Sequence, residues 1–242
     1  MTSPGDSPPD AGVVIVAAGA GVRAGPGEPK QFRPILGVPM LLRALRPFTS
    51  HPAVSHVVVV VPAGFDAHPP EWLGKLVGDR LALVAGGATR AQSVRAGLRG
   101  LARWAGKEGV SGPAVVLVHD GARPFVTRET IDGVIAKARA GVGAVAAIQL
   151  TDTVKDVEQS RITKTVTRDR LWRAQTPQGF PRAMIERAYG GLADGDAAPT
   201  DDAEVCERAG FPVEVVPDSQ HNLKVTTSDD FRLAEALARE LR

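Results

Sequence analysis

The sequence predicts an α/β protein built on a mostly parallel sheet flanked by helices. Short apolar runs recur at Val13–Val16, His56–Val61, Leu81–Ala85 and Ala114–Val118, the first wholly β-branched and the second carrying five successive valines, as expected of strands buried on both faces. Between them, apolar residues return at helical spacing, so strand and helix alternate as in right-handed βαβ crossovers. Glycine-rich turns follow the first and third of these strands, at the sheet edge where open α/β folds take their ligands.

In order along the chain, a strand at Val13–Val16 breaks into a loop running to Phe32, and Pro39–Phe48 follows as a helix with Leu41, Leu42 and Leu45 on one face. The strand at His56–Val61 leads to a helix at Glu71–Val77 bearing Trp72, Leu73, Leu76 and Val77, then to the strand Leu81–Ala85. Thr89 caps a helix through Trp104, which sets Arg90 and Ser93 in its first turn, beside unsatisfied N–H groups. The strand Ala114–Val118 runs into His119-Asp120-Gly121-Ala122-Arg123-Pro124, and Thr127 caps a helix at Arg128–Ala140. A fifth strand spans Ala144–Leu150.

Alternating segments on either side of Glu158-Gln159-Ser160 then predict a β-hairpin with polar, threonine-rich faces. Such a hairpin is marginal alone, which makes a second subunit its expected support. Leu171–Phe180 rejoins the main body, followed by a helix at Pro181–Tyr189 and a second, acid-rich helix start at Thr200–Glu204 that runs to Ala209. A strand at Phe211–Val216 and an extended run at His221–Thr226 precede the last helix. That helix is expected to be capped by Ser228, with Phe231, Leu233, Leu237 and Leu241 buried.

The first loop, AAGAGVRAGPGEPKQF, holds the most chemistry. Gly19, Gly21 and Ala24 match the dinucleotide pattern G-x-G-x-x-G/A, but Gly25, Pro26, Gly27 and Pro29 prevent the helix that motif requires. About twenty residues on there is no acid for a ribose hydroxyl. A Walker A loop fails as well, since Lys30 stands between Pro29 and Gln31. What remains is a proline-stiffened loop presenting Arg23 and Lys30, a planar fork and a point charge suited to a polyphosphate that gains charge during reaction. Asp120, an acid at the end of a parallel strand, is placed to approach a metal bound to phosphates, because Mg²⁺ takes one or two carboxylates and fills its shell with water and phosphate oxygens. His119 is expected to pack structurally, since no nucleophilic serine or cysteine accompanies it.

Composition bounds the function. With 242 residues and a net charge of +2, the chain has room for a full core and no bias toward nucleic acid. No apolar run reaches membrane-spanning length. The N-terminal MTSPGDSPPDAG has neither a basic nor an apolar signal segment, predicting a disordered tail over residues 1–11, a single domain over 12–242 and a cytoplasmic protein. Cys206 is the sole cysteine, expected as a small buried hydrophobe.

Five segments, in order, AAGAGVRAGPGEPKQF, GGATRAQSV, VHDGARP, TDTVK with TVTRDRLWRAQTPQGF, and TDDAE with HNLKVT, together resemble the 2-C-methyl-D-erythritol 4-phosphate cytidylyltransferases. The resemblance covers nearly everything from Val13 onward. It implies a Rossmann-like nucleotidyltransferase fold with a protruding β-arm at about 151–170, homodimerisation, and Mg²⁺-dependent cytidylyl transfer from CTP to a sugar-alcohol phosphate with release of pyrophosphate. It also implies roles for residues. Arg23 and Lys30 match the pair that stabilises the α-phosphate in the transition state; Gly87 and Ser93 match positions that read the cytosine; the backbone of Ala17, Ala18 and Gly19 matches the nucleotide cradle, with Arg90 nearby. Arg168 and Lys224 match cations that position the acceptor. Asp120, Arg123, Thr153 and Thr200 match further substrate contacts, Thr153 and Arg168 reaching a partner's site from the arm. Ala88 stands where many relatives have an acid, and Val22 where an extra arginine is frequent. Competing readings are a cytidylyltransferase for another polyol phosphate such as ribitol 5-phosphate, a sugar-1-phosphate nucleotidyltransferase, or an inactive nucleotide-binding subunit.

Overall fold

The β-branched runs become the centre of one large sheet. The structure is a computed structural model that describes residues 9–19, 29–109, 112–193 and 196–241. Its elements are, in chain order, β1 (Ala11–Val16), β2 (Pro34–Ile35), β3 (Val38–Pro39), α1 (Met40–Thr49), β4 (Val54–Val61), α2 (Glu71–Gly74), β5 (Leu81–Ala85), α3 (Arg90–Glu108), β6 (Val115–Asp120), α4 (Arg128–Arg139), β7 (Gly143–Gln149), β8 (Val154–Glu158), β9 (Arg161–Val166), β10 (Trp172–Pro181), α5 (Arg182–Gly191), α6 (Asp202–Arg208), β11 (Val213–Pro217) and α7 (Ser228–Glu240). Seven strands form the main sheet in the order β11-β7-β10-β6-β1-β4-β5. All neighbours are parallel except β10, which runs antiparallel to both β6 and β7.

Alternate residues of each central strand feed two separate cores. Val13, Ile15, Val57, Val59 and Leu117 face α1 and α4 through Leu41, Leu45, Phe48, Ile131 and Val134. Val14, Val58, Val60, Val116 and Val118 face α3, α5 and α6 through Val94, Leu101, Ile185 and Cys206. Burial on both faces is why the runs carry no polar alternation. On the α3 face the helix lies so close to the sheet that a Cβ on Gly97 would sit 2.3 Å from Val14 Cγ1.

Strand order reverses direction at β1, whose neighbours are β4 on one side and β6 on the other. Ligand crevices of open α/β sheets lie beyond the carboxyl ends of strands at such a switch point. β10 closes the other flank of β6, and one buried hydrogen-bonded chain sews the two strands together at that end. Asp120 N–H donates to Thr176 Oγ1 at 3.0 Å, the Thr176 hydroxyl lies 3.0 Å from His119 Nδ1, and His119 Nε2 lies 3.0 Å from Arg123 O. These partners define a neutral His119 with its proton on Nε2, and burial pushes its pKa down to about 4. His119 is therefore part of the frame, not a proton carrier.

Several expectations are corrected. The folded body starts before residue 12: Asp10 N–H donates to Ala53 O, and Ala11 is fully buried in β1. Residues 1–8 of the expected tail lie outside the described residues. α2 ends at Gly74, and Leu76 and Val77 beyond it are exposed. The last helix is capped by Thr227, not Ser228, in a reciprocal box with Asp230. Its buried side is Phe231, Ala234, Leu237 and Ala238, while Leu233 and Leu241 face outward. The extended run at His221–Thr226 joins no sheet. β8 and β9 do pair as a hairpin, turning through Gln159 and Ser160 at φ 46° and 67°, the left-handed pair that suits a two-residue connection.

Two outcomes follow from this packing. Gly97→Ala should destabilise the protein by up to about 2 kcal/mol, since overpacking against Val14 outweighs the roughly 1 kcal/mol that alanine gains in a helix. Gly106→Ala in the same helix meets nothing within 4 Å and should stabilise by about 0.5–1 kcal/mol; urea titrations giving both substitutions the same sign contradict the packing. His56, stacked on Trp104 at 4.5 Å and pushed by burial to about 4, shares with His119 a folded pKa below its unfolded value of 6.5. The unfolded chain then binds more protons between these values, so stability present above about pH 6.5 is lost as pH falls toward about 4. Urea midpoints measured down to about pH 4.5 should drop, with a shallower drop in His119→Gln; a flat profile would mean the histidines are not buried neutral.

Candidate active site

The site forms where the ends of β1, β5 and β6 meet. Gly86 lets the loops after β1 and β5 touch: a Cβ there would lie 2.2 Å from Ala18 Cβ. A cavity of about 640 Å³ opens between them, lined by Ala17, Ala18 and Gly19 after β1, Gly87 to Arg90 and Ser93 at the head of α3, Asp120 to Ala122 after β6, and Lys30, Gln31, Lys224 and Thr226. Its size suits a nucleotide. A second cavity of about 220 Å³ adjoins it, lined by Arg123, Gln175, Thr176, Gln178, Thr200 and Asp201. Arg90, Asp120 and Lys224 line both.

Asp120 is the electrostatic centre. Its Oδ2 is 2.8 Å from Lys224 Nζ and 3.9 Å from Arg123 Nε, and its Oδ1 is 3.6 Å from Arg90 Nε. Burial alone would raise this carboxyl, but the charges of Arg90, Lys224 and Arg123 and the Lys224 hydrogen bond hold it well below the usual carboxylate range. Arg90 is shared outward, its Nη2 lying 2.6 Å from Oδ2 of the fully buried Asp202, whose other oxygen accepts from Tyr189 at 2.6 Å. Burial opposes the charge of Arg90, yet Asp202 and Asp120 together raise its pKa.

Lys30 is set by its neighbours. Phe32, buried beside Phe65 and Trp72 at 5.1 and 6.2 Å between ring centres, anchors the end of the glycine-rich loop. Gln31 Nε2 donates to Ala17 O at 2.7 Å, and Lys30 Nζ donates to Val225 O at 2.9 Å. Arg23 lies outside the described residues.

Other predicted residues occupy the site in less direct ways. Ala17 N–H is already given to Val60 O, so Ala17 supplies wall rather than a donor to the cradle. Ser93 Oγ accepts from Gly87 N–H at 3.2 Å and donates to Thr89 O at 3.0 Å, shaping the turn with its own hydroxyl. Gln92 Oε1 takes the N–H groups of Ala88 and Thr89 in the turn before α3, and Thr89 Oγ1 takes that of Gln92 in the first turn. Thr200 lines the smaller cavity, where its hydroxyl and N–H both reach Glu204 at 2.7 Å and hold that acid near 2. Thr153 and Arg168 are exposed at the base of the hairpin and line neither cavity.

Gln31, Gln178 and Asn222 were not singled out from sequence. Gln178 Oε1, reaching from β10, accepts from the N–H groups of Asp202 and Ala203 at the start of α6. An amide beside a lysine, as in Lys30-Gln31, was the one available signal. A metal role for Asp120 does not fit the residues as arranged: both its oxygens face cations, and among the described residues no three His, Cys, Asp or Glu side chains converge on a point.

With this geometry in place, the likenesses to known proteins are specific. The family model for 2-C-methyl-D-erythritol 4-phosphate cytidylyltransferase matches residues 11–240. A Streptomyces coelicolor protein of that name is 44% identical over 250 residues, covering 96% of this chain and 86% of its own length. The bifunctional enzyme IspD/IspF of Paracoccus denitrificans is 44% identical over 93% of this chain, which spans only 55% of that longer protein. The crystal structure of 2-C-methyl-D-erythritol 4-phosphate cytidylyltransferase from Thermus thermophilus superposes with a TM-score of 0.72 at 33% identity, covering 93% of this chain and 98% of that one. The mostly parallel sheet, the cation-lined switch point and the match over residues 11–240 agree, and the chain belongs to the 2-C-methyl-D-erythritol 4-phosphate cytidylyltransferase family.

Proposed function

We propose that this chain transfers a cytidylyl group from CTP to 2-C-methyl-D-erythritol 4-phosphate, giving 4-diphosphocytidyl-2-C-methyl-D-erythritol and pyrophosphate for non-mevalonate isoprenoid synthesis. The observation that supports it is the pair of adjoining cavities, one of nucleotide size and one smaller, joined by Arg90, Asp120 and Lys224. An oxygen of the acceptor phosphate attacks the α-phosphorus of CTP; the bond to the bridging oxygen breaks and pyrophosphate leaves with its electron pair. The nucleophile is already an anion, so no general base is needed and positioning with charge neutralisation does the chemistry. The buried, neutral His119 is consistent with that economy.

Lys30, with Arg23 from the same loop, neutralises the triphosphate and the charge that builds on the α-phosphate. Lys224 and Arg123 face the acceptor phosphate, Arg90 bridges the two cavities, and Asp120 keeps these cations together until phosphates replace it. Gly87, Ser93 and the backbone of Ala17, Ala18 and Gly19 form the wall on which the nucleoside rests. Mg²⁺ brought in with CTP would supply further charge neutralisation, without a ligand from Asp120, whose oxygens face Arg90, Arg123 and Lys224.

The arm completes the site from a second subunit. β8 and β9 leave the body as a two-stranded sheet of their own, exposing Val157, Ile162 and, at the start of β10, Trp172, and a hairpin of this size needs such support. In a two-fold dimer the exposed Thr153 and Arg168 reach the partner's acceptor. The chain works without a membrane anchor in this reading: no described helix is long and apolar enough to cross a bilayer.

Purified protein incubated with CTP, Mg²⁺ and either methylerythritol phosphate or ribitol 5-phosphate should release pyrophosphate rapidly with the first alone; preference for the second would move the chain to another polyol phosphate. Lys30→Ala and Arg168→Ala homodimers should each be nearly inactive at low acceptor concentration. Co-expressed, they should recover about a quarter of the wild-type rate, because random pairing makes half the dimers mixed and gives each mixed dimer one intact site. Recovery of nothing would mean that Arg168 serves its own subunit.

A further inference from the structure

Lys224 sits on a stretch without regular structure between β11 and α7, yet its ammonium is held 2.8 Å from Asp120. What fixes that stretch is not a ladder but two anchors on either side of the lysine. On one side Val225 N–H donates to Ala122 O at 2.8 Å, while Val225 O accepts from Lys30 Nζ. On the other is Asn222, which is fully buried and lines neither cavity. Its Nδ2 donates to Thr176 O at 2.8 Å and to Asp218 Oδ2 at 2.6 Å. Its main-chain carbonyl accepts from Arg123 Nη1 at 2.7 Å and from Gln175 Nε2 at 2.9 Å. Asp218 is itself braced by the Thr130 hydroxyl and Ser219 N–H at 2.7 and 2.8 Å.

We propose that Asn222 is a positioning residue for the transfer reaction, tying the Lys224 stretch and the Arg123 guanidinium to Thr176, the residue whose hydroxyl also receives Asp120 N–H. Lys224, Arg123 and Asp120 are thereby referenced to one point on β10. The side chain keeps a buried Oδ1 with no hydrogen-bond partner, so the amide is held for its two donors rather than for a fully satisfied network. An aspartate there would face the Thr176 carbonyl and the Asp218 carboxylate with no proton to offer, and an alanine would take the amide donor from both the Thr176 carbonyl and Asp218 Oδ2.

The inference rests on Lys224 acting at the site, and a double-mutant cycle separates the two claims. Wild type, Asn222→Ala, Lys224→Ala and the double variant are compared by kcat, by KM for CTP and for the acceptor, and by urea midpoint. Asn222→Ala should lower kcat/KM for the acceptor by about 100-fold, the scale of a misplaced group, with KM for CTP little changed. In the Lys224→Ala background the same substitution should cost only a small factor. Equal losses in both backgrounds overturn the inference alone, as does a wild-type kcat/KM for Asn222→Ala. Near-normal turnover by Lys224→Ala overturns the reading of the site, and the inference with it. If Asn222→Ala yields no folded protein, Asp218→Asn, which weakens the same anchor from its other end, goes through the same cycle with the same outcomes decisive.

Discussion

The site depends on one carboxylate that makes it possible to gather cations before any substrate is present. Arg90, Arg123 and Lys224 all come within 4 Å of Asp120, where opposite charges attract by up to about 4 kcal/mol per pair at an effective dielectric constant near 20, while the three cations gathered around it repel one another. Asp120 offsets that repulsion and is in turn held ionised by them. The arrangement works only because Asp120 ends β6 beside the switch point, where both cavities open. An incoming phosphate is a second anion competing for the same cations, so binding exchanges one partner for another instead of assembling the cluster anew.

The central strands were legible in the sequence because burial on both faces leaves only β-branched and small residues. The caps at Thr89 and Thr127 and the hairpin were legible because their signals are local: a hydroxyl before a helical pattern, and alternation around a polar turn. Where tertiary contacts decided, pattern reading failed. In α7 the large apolar side chains were expected inside, but Leu233 projects from the side opposite Phe231 while the small Ala234 and Ala238 allow close packing. α2 stops after one turn although Leu76 and Val77 continue its apolar spacing. Nothing in the composition of Trp172–Pro181, with two prolines and a glycine, announced a strand, because its place between β6 and β7 is set by the strands on either side.

The same division runs through the site. Lys30 and Asp120 could be picked out as charges at strand ends, and Arg123 and Lys224 through the family resemblance; Asp120, Arg123 and Lys224 do come together, with Lys30 on the wall of the same larger cavity as Asp120 and Lys224. The amides that hold them, Gln31, Gln178 and Asn222, left almost no trace, because a buried amide is recognised by its partners and those lie far along the chain. Nor did the sequence announce that Gln92 and Ser93 would fold back to hold the N–H groups of Gly87, Ala88 and Thr89 in the turn before α3.

One contact links the two ends of the chain. Lys30, from the loop assigned to the triphosphate, donates to Val225 O across 195 positions of sequence, beside the lysine assigned to the acceptor. The placement of Lys30 is therefore tied to the far end of the chain: its ammonium rests on the stretch that carries Lys224. Any displacement of that stretch moves a cation on the acceptor side and the hydrogen-bond partner of a cation on the nucleotide side together. In a reaction opposed by repulsion between two anions, such a link serves orientation as well as charge, because neutralising one anion while the other drifts leaves the attack out of line.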